Sequence, residues 1–206
     1  MRLEVTTYYL EMLSPADLRA SRASVEGLEI RQAQIPSPEL NRFLYTAVGG
    51  DWYWIDRLGW TYAQWREWVH RVETWLAYLH GTPAGYFELE KKPDGLVNIA
   101  YFGLIPAFIG KGMGGVLLTC CLERAWEMGA KRVTVNTCTL DGLAALANYQ
   151  ARGLRLYKQE TETKELPDHP LAPGSAPVDV CVRTRYCASA TGNPQTRIKN
   201  PLSCRA

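Results

Sequence analysis

Ile109-Gly110-Lys111-Gly112-Met113-Gly114-Gly115 decides the reading of this chain, because the run stands between an apolar strand and a helix. Glycines at that junction let a ligand approach the backbone closely. The free N–H groups of a helix start, at the positive end of the macrodipole, then suit a phosphate or pyrophosphate. Residues 96–104 before the run read as a strand, 116–128 as a helix stopped by Gly129, and 132–136 as a short buried strand. Strand, glycine loop, helix and strand make a βαβ unit, so the sheet turns parallel in its second half. A Walker A loop is excluded, since Lys111 lies inside the glycines with no Ser or Thr following in register. Gly110, Gly112 and Gly115 spell GxGxxG, but the acid required about 20 residues later would fall at Val135 or Asn136. A nucleotide-cofactor protein of the NAD(P) type therefore stands as an alternative with one requirement unmet.

Upstream of the run, period-two segments at 75–79, 84–90 and 96–104 are joined by turns at His80-Gly81 and Lys92-Pro93-Asp94-Gly95, an antiparallel meander. A strand at 3–10 opens the chain, and Ser14-Pro15 predicts a short helix to about residue 23. Ser37-Pro38 starts a second helix whose stripe of Leu40, Phe43, Leu44, Ala47 and Val48 ends at Gly49-Gly50. Thr61 to Gln64 is a capping box, with Trp65, Trp68, Val69 and Val72 as the buried stripe of a third helix. A short helix over 143–152 precedes a strand at 154–164, and a closing strand is expected at 178–186. The expected fold is a mixed α/β single domain, 1–186, with about seven strands and helices on both faces. Residues 187–206 have no period and are expected to form a mobile tail.

Composition bounds the partners. The 206 residues are 47% hydrophobic, enough to bury a core and to exclude a disulfide-stapled miniprotein or a disordered chain. The net charge of +2 hides an asymmetry: Arg183, Arg185, Arg197, Lys199 and Arg205 follow the last acid, Asp179. Removing those five leaves 18 bases against 21 acids, a body at −3. No basic face for nucleic acid appears. Six cysteines without a CxxC pair and three scattered histidines lack zinc-site spacing, so no metal is expected and the thiols read as reduced. No apolar run approaches the roughly 20 residues of a membrane span, which points to a soluble, cytoplasmic protein. Six of the seven tryptophans lie between Trp52 and Trp75.

The stretch AYFGLIPAFIGKGMGGVLL, residues 100–118, resembles the acyl-CoA-binding motif of the GNAT superfamily of N-acyltransferases, [QR]xxGxG or [QR]xxGxA after an apolar-x-Pro turn. Gly112 and Gly114 match its two small residues; Ile109 stands where the family has Arg or Gln. A second hallmark, Tyr followed by Gly-aromatic, matches at Tyr149 and Gly153, with Leu154 in place of the aromatic ring. The similarity covers residues 1–186. It implies a bulged strand 96–104 that splays from strand 132–136, pantetheine paired to backbone near Phe102 and Leu104, and pyrophosphate on the N–H groups of Ile109, Gly110, Lys111, Gly112, Met113, Gly114 and Gly115. Acetyl-CoA is the implied donor, and Tyr149 the implied acid that protonates the leaving sulfur. A phenol of pKa about 10 suits a thiolate of pKa about 8.5.

For the base, strand alternation puts Tyr86, Glu88 and Glu90 on one face and Phe87 and Leu89 on the other, with Glu88 mid-strand beside the bulge. Glu88 is the candidate base; a solvated carboxylate or an anchor for the amine's charge are the alternatives. The aperiodic run DWYWIDRLG, residues 51–59, offers Asp51, Trp52, Trp54 and Asp56 as an amine-binding wall through charge and cation–π contact. Asp141 is expected to cap the helix that carries Tyr149. The expected activity is transfer of an acetyl group to a primary amine of a small molecule or peptide in a ternary complex. A catalytically silent acyl-CoA-binding domain is the alternative within the same fold, and a homodimer is an open possibility.

Overall fold

The computed structural model describes residues 1–169. One seven-stranded mixed sheet runs through them in the order β2-β3-β4-β5-β6-β1-β7, built from β1 (Arg2–Met12), β2 (Leu28–Gln32), β3 (Val72–Leu79), β4 (Thr82–Lys91), β5 (Leu96–Leu104), β6 (Arg132–Cys138) and β7 (Arg155–Glu165). Four helices cover it: α1 (Pro38–Gly49), α2 (Tyr62–Val69), α3 (Met113–Glu127) and α4 (Ala145–Ala151). Leu117, Leu118, Leu122 and Tyr149 pack from α3 and α4 onto Phe87, Leu89, Val97 and Ile99. On the opposite face, Leu44 and Val48 of α1 meet Leu76 and Tyr86, and Trp65 and Trp68 of α2 meet Tyr45.

Local chemistry sets the helix starts. Ser37 accepts from Leu40 N at 3.2 Å with Pro38 in the first turn, and Thr61 and Gln64 form the reciprocal capping box. The helix expected after Ser14-Pro15 is a single 3-10 turn, Pro15–Asp17. Beyond it, Arg19 N donates to Arg152 O and Ser21 N to Thr119 Oγ1. Tertiary acceptors thus take the backbone donors that a helix would have used. On α1 the inward residues are Asn41, Leu44, Tyr45 and Val48, and Phe43 is 53% exposed. The stripe is turned by one residue from the hydrophobic pattern, because the polar-tipped Asn41 and Tyr45 face the sheet.

Seven strands are present, but the set differs from the expected one. Leu28–Gln32, with Leu28 and Ile30 alternating against Glu29 and Arg31, supplies β2, while the strand expected at 178–186 and the tail at 187–206 lie outside the described residues. Among the described residues parallel pairing is confined to β5 and β6; β1 pairs antiparallel with both β6 and β7.

Two irregularities of β5 open the sheet. Glu88 pairs with Tyr101 but Leu89 pairs with Ile99, so Ala100 is an extra residue, a β-bulge. The bulge resets the alternation: Val97 and Ile99 face α3, Ala100 and Tyr101 both turn toward α1 and α2, and Phe102 and Leu104 return to the α3 side. β5 then pairs with β6 only over Leu96, Val97 and Asn98, and the two strands part toward their C-terminal ends. This is the splay expected from the resemblance.

Candidate functional site

The glycine run crosses the open end of that splay. A 3-10 turn, Pro106–Phe108, leads into Gly110 (φ 82°) and Gly112 (φ 76°), both in the left-handed region that favours glycine. Gly112 caps α3 without a side chain, so no side-chain acceptor occupies the first-turn N–H groups. A Cβ at Gly110 would meet open space, and buried Met113 anchors the helix start beneath the loop. Asn148 of α4 donates to Gly114 O at 3.2 Å. Ile109 is 47% exposed with an apolar side chain, and its N–H, expected to face pyrophosphate, already donates to Pro106 O at 3.1 Å. A guanidinium reaches the same helix end from elsewhere: a Cβ at Gly115 would lie 2.8 Å from Arg152 Nη1 and 3.0 Å from Ser21 Oγ. Nothing in the sequence pattern singled out Arg152 or Ser21, since neither belongs to the glycine motif.

Tyr149 is buried on the α3 and α4 side, its ring 5.8 Å from Phe102 between centroids. Burial, then the negative field of Asp141, raises its pKa, so the phenol keeps its proton. Asp141 does not cap α4, whose N-cap is Ala144, without a side-chain bond. Its Oδ2 accepts from Thr137 Oγ1 (2.6 Å) and Cys138 N (2.9 Å), closing the loop after β6, and its Oδ1 accepts from Trp54 Nε1 at 3.4 Å.

Glu88 lies on the other face, toward α1 and α2, at 1% exposure. Asn41 Nδ2 donates to its Oε1 at 2.8 Å and Trp68 Nε1 to its Oε2 at 2.5 Å. Burial raises the carboxyl pKa, opposed by the Trp68 and Asn41 hydrogen bonds and by the positive field of Arg57. Glu90, on the same face, is also buried and is paired with Arg71 and Lys92. Glu88 and Tyr149 thus face opposite sides of the sheet, and the splay between β5 and β6 is the opening next to both.

The segment after α1 bridges the arms of that opening. Trp54 packs on Tyr45 and Tyr101, and Trp52 stands over Gly142, 3.4 Å from where a Cβ would be. Asp51 is exposed. Asp56 is engaged by protein groups: Tyr45 OH donates to Oδ1 (2.7 Å) and Tyr101 OH to Oδ2 (3.0 Å). The cation among these rings is the chain's own Arg57, whose Cζ lies 3.7 Å from the Trp68 ring, 4.3 Å from Trp60 and 4.4 Å from Tyr101. Arg57, Asn41 and Tyr101 were not among the sequence candidates. Only the bulge, which swings Tyr101 beside Glu88, brings them together. Among the described residues no group of three or more His, Cys, Asp or Glu is placed to hold a metal ion. A groove of about 400 Å³ between Ala16 and Leu156 contains none of the candidate residues.

The site is thus a sheet split between β5 and β6 beside a glycine-capped helix. The family model described as "Acetyltransferase (GNAT) family" matches residues 39–154, more than half of the chain, and the chain belongs to that family. No curated protein matches the chain in sequence. Solved structures with a similar fold include a GCN5-related N-acetyltransferase from Kribbella flavida (19% identity, TM-score 0.57, 79% of this chain and 59% of that one). Another, from Sphaerobacter thermophilus, has 17% identity and a TM-score of 0.59 over 79% of this chain and 51% of that one. The chain thus spans between half and two thirds of the length of these relatives.

Proposed function

We propose that the chain transfers an acetyl group from acetyl-CoA to a primary amine of a small molecule or peptide, by direct attack with both substrates bound. The observation that carries this reading is the pairing of a splayed β5–β6 junction with Glu88, a buried carboxyl of raised pKa at the bulge that makes the splay. Acetyl-CoA supplies the thioester carbon that is attacked and the sulfur that leaves. The unoccupied first-turn N–H groups of α3, with Arg152 beside them, suit its pyrophosphate, and the freed edge of β5 at Phe102 and Leu104 offers peptide groups to its pantetheine amides. Glu88 takes the proton that an alkylammonium must lose before its nitrogen can attack. Its raised pKa makes it a stronger base than a solvated carboxylate. Tyr149, protonated at neutral pH, gives its proton to the sulfur as the C–S bond breaks. The free thiols of Cys120, Cys121 and Cys138 suit a reducing compartment, which supports a cytoplasmic site of action.

Two measurements on the purified chain test the reading. Acetyl-CoA should raise the melting temperature where NAD(P) and ATP do not; the reverse order contradicts it. Thiol release should then follow addition of amines. Stabilisation by acetyl-CoA without amine-dependent release would leave a silent acyl-CoA-binding domain.

A further inference from the structure

Buried donors without acceptors collect on the face that carries Glu88. Arg57 is 8% exposed, yet among the described residues its Nε and Nη1 reach no acceptor, and the indole N–H of Trp65 and the hydroxyl of Tyr86 are in the same condition. Burying such groups unpaired is unfavourable, and native folds keep them when something else supplies the partner. Each of these atoms can donate, so their complement is a group made of acceptors.

Arg57 is positioned by aromatic faces and one long ion pair to Asp56, and among the described residues its guanidinium makes no hydrogen bond to a carboxylate. Three aromatic rings fix its plane, and its nearest carboxylate oxygen, Asp56 Oδ2, stands 3.8 Å from Nε, beyond hydrogen-bond distance. Both Asp56 oxygens already accept from Tyr45 and Tyr101. Trp68 lies between the two charges: its ring stacks on the guanidinium and its N–H holds Glu88. A cation and an anion are therefore held on two sides of one indole with no ion pair between them. With Asp56 and Glu88 both close, a singly charged anion balances Arg57 better than a dianion such as phosphate.

We infer that the amine acceptor also carries a carboxylate, which Arg57 receives while the amino group is directed to Glu88. The inference rests on the acyltransfer reading and narrows the acceptor to amino acids and similar small zwitterions, away from polyamines and polycationic drugs.

The test measures kcat/KM of the full chain with acetyl-CoA and matched sets of acceptor: alanine, β-alanine, phenylalanine and ornithine, each beside its carboxamide and its decarboxylated amine. The acid should exceed its amide at least tenfold in one or more sets, and Arg57→Gln should bring that ratio to near one through KM. An amide or plain amine used as well as every acid overturns the carboxylate site and leaves acyltransfer standing. Should the variant fail to fold, the wild-type ratio decides alone. Tryptophan fluorescence in the presence of CoA gives a reading that needs no turnover, because Trp60 and Trp68 flank the guanidinium. An emission change with acids and not with amides, without thiol release, would keep the carboxylate site and remove acyltransfer. No selective change and no release would overturn both.

Discussion

The two faces of the sheet are built from different chemistry. Beneath α3 and α4 the packing is apolar, with Leu117, Leu118 and Leu122 fully buried against Phe87, Leu89 and Ile99. Beneath α1 and α2 the buried set includes Asn41, Arg57, Thr74, Glu88 and Glu90 among tryptophans and tyrosines. Apolar packing makes a rigid support for the helix that carries the glycine loop. Buried charge is held on the other side at a cost in stability that folding alone does not require. On the proposed reading, the donor is bound through backbone and the acceptor recognised through side chains.

Removing Glu88 should break that division most severely. Glu88→Gln is expected to lower kcat by about 10²- to 10⁴-fold, the usual contribution of a positioned base, with acetyl-CoA affinity unchanged in a calorimetric titration. A rise in amine KM at constant kcat would make Glu88 an anchor instead. Tyr149→Phe should lower kcat by about tenfold or more on the same grounds; unchanged turnover at neutral pH removes Tyr149 from the chemistry. On the apolar face, Leu122→Ala should destabilise by about 2–5 kcal/mol in urea unfolding. Thr61→Ala, which removes the cap of α2, should destabilise by about 1 kcal/mol, and Phe43→Ala should change stability by less than about 0.5 kcal/mol because its ring is exposed.

Glu88 also sets a pH signature. Its folded pKa lies above the ordinary value of 4.5, so its favourable contribution is complete below 4.5 and is lost as pH rises through the folded value. Relative to Glu88→Gln, the wild type should therefore lose melting temperature as pH climbs above 4.5. The acid limb of kcat/KM should fall above pH 4.5 and vanish in the variant. A limb at 4.5 or below would contradict a base tuned by burial.

Legibility in the sequence followed the range of the forces. The caps at Ser37 and Thr61, the glycine run and the alternation of Tyr86, Glu88 and Glu90 are local, and each could be read from neighbours a few residues apart. The helix expected after Ser14 failed because its backbone donors go to Arg152 O and Thr119 Oγ1, far along the chain. The inward turn of Asn41 and Tyr45 was hidden for a related reason: their polar atoms are satisfied by Glu88, Thr74 and Asp56, which no hydropathy pattern contains. Trp68 read correctly as a core residue, yet its indole N–H is also a partner of Glu88. The aperiodic loop read as an aromatic wall for a foreign cation; it also supplies a cation of its own, Arg57, to the rings of Trp60, Trp68 and Tyr101 outside it.

The central claim is that one face seats the acyl donor and the other activates an amine. Amine-dependent thiol release by the wild type, followed beside mass analysis of the amine, tests it most directly. One acetylated amine is expected for each thiol released, with almost no release without amine. Tight acetyl-CoA binding with a release rate that no amine changes would contradict it.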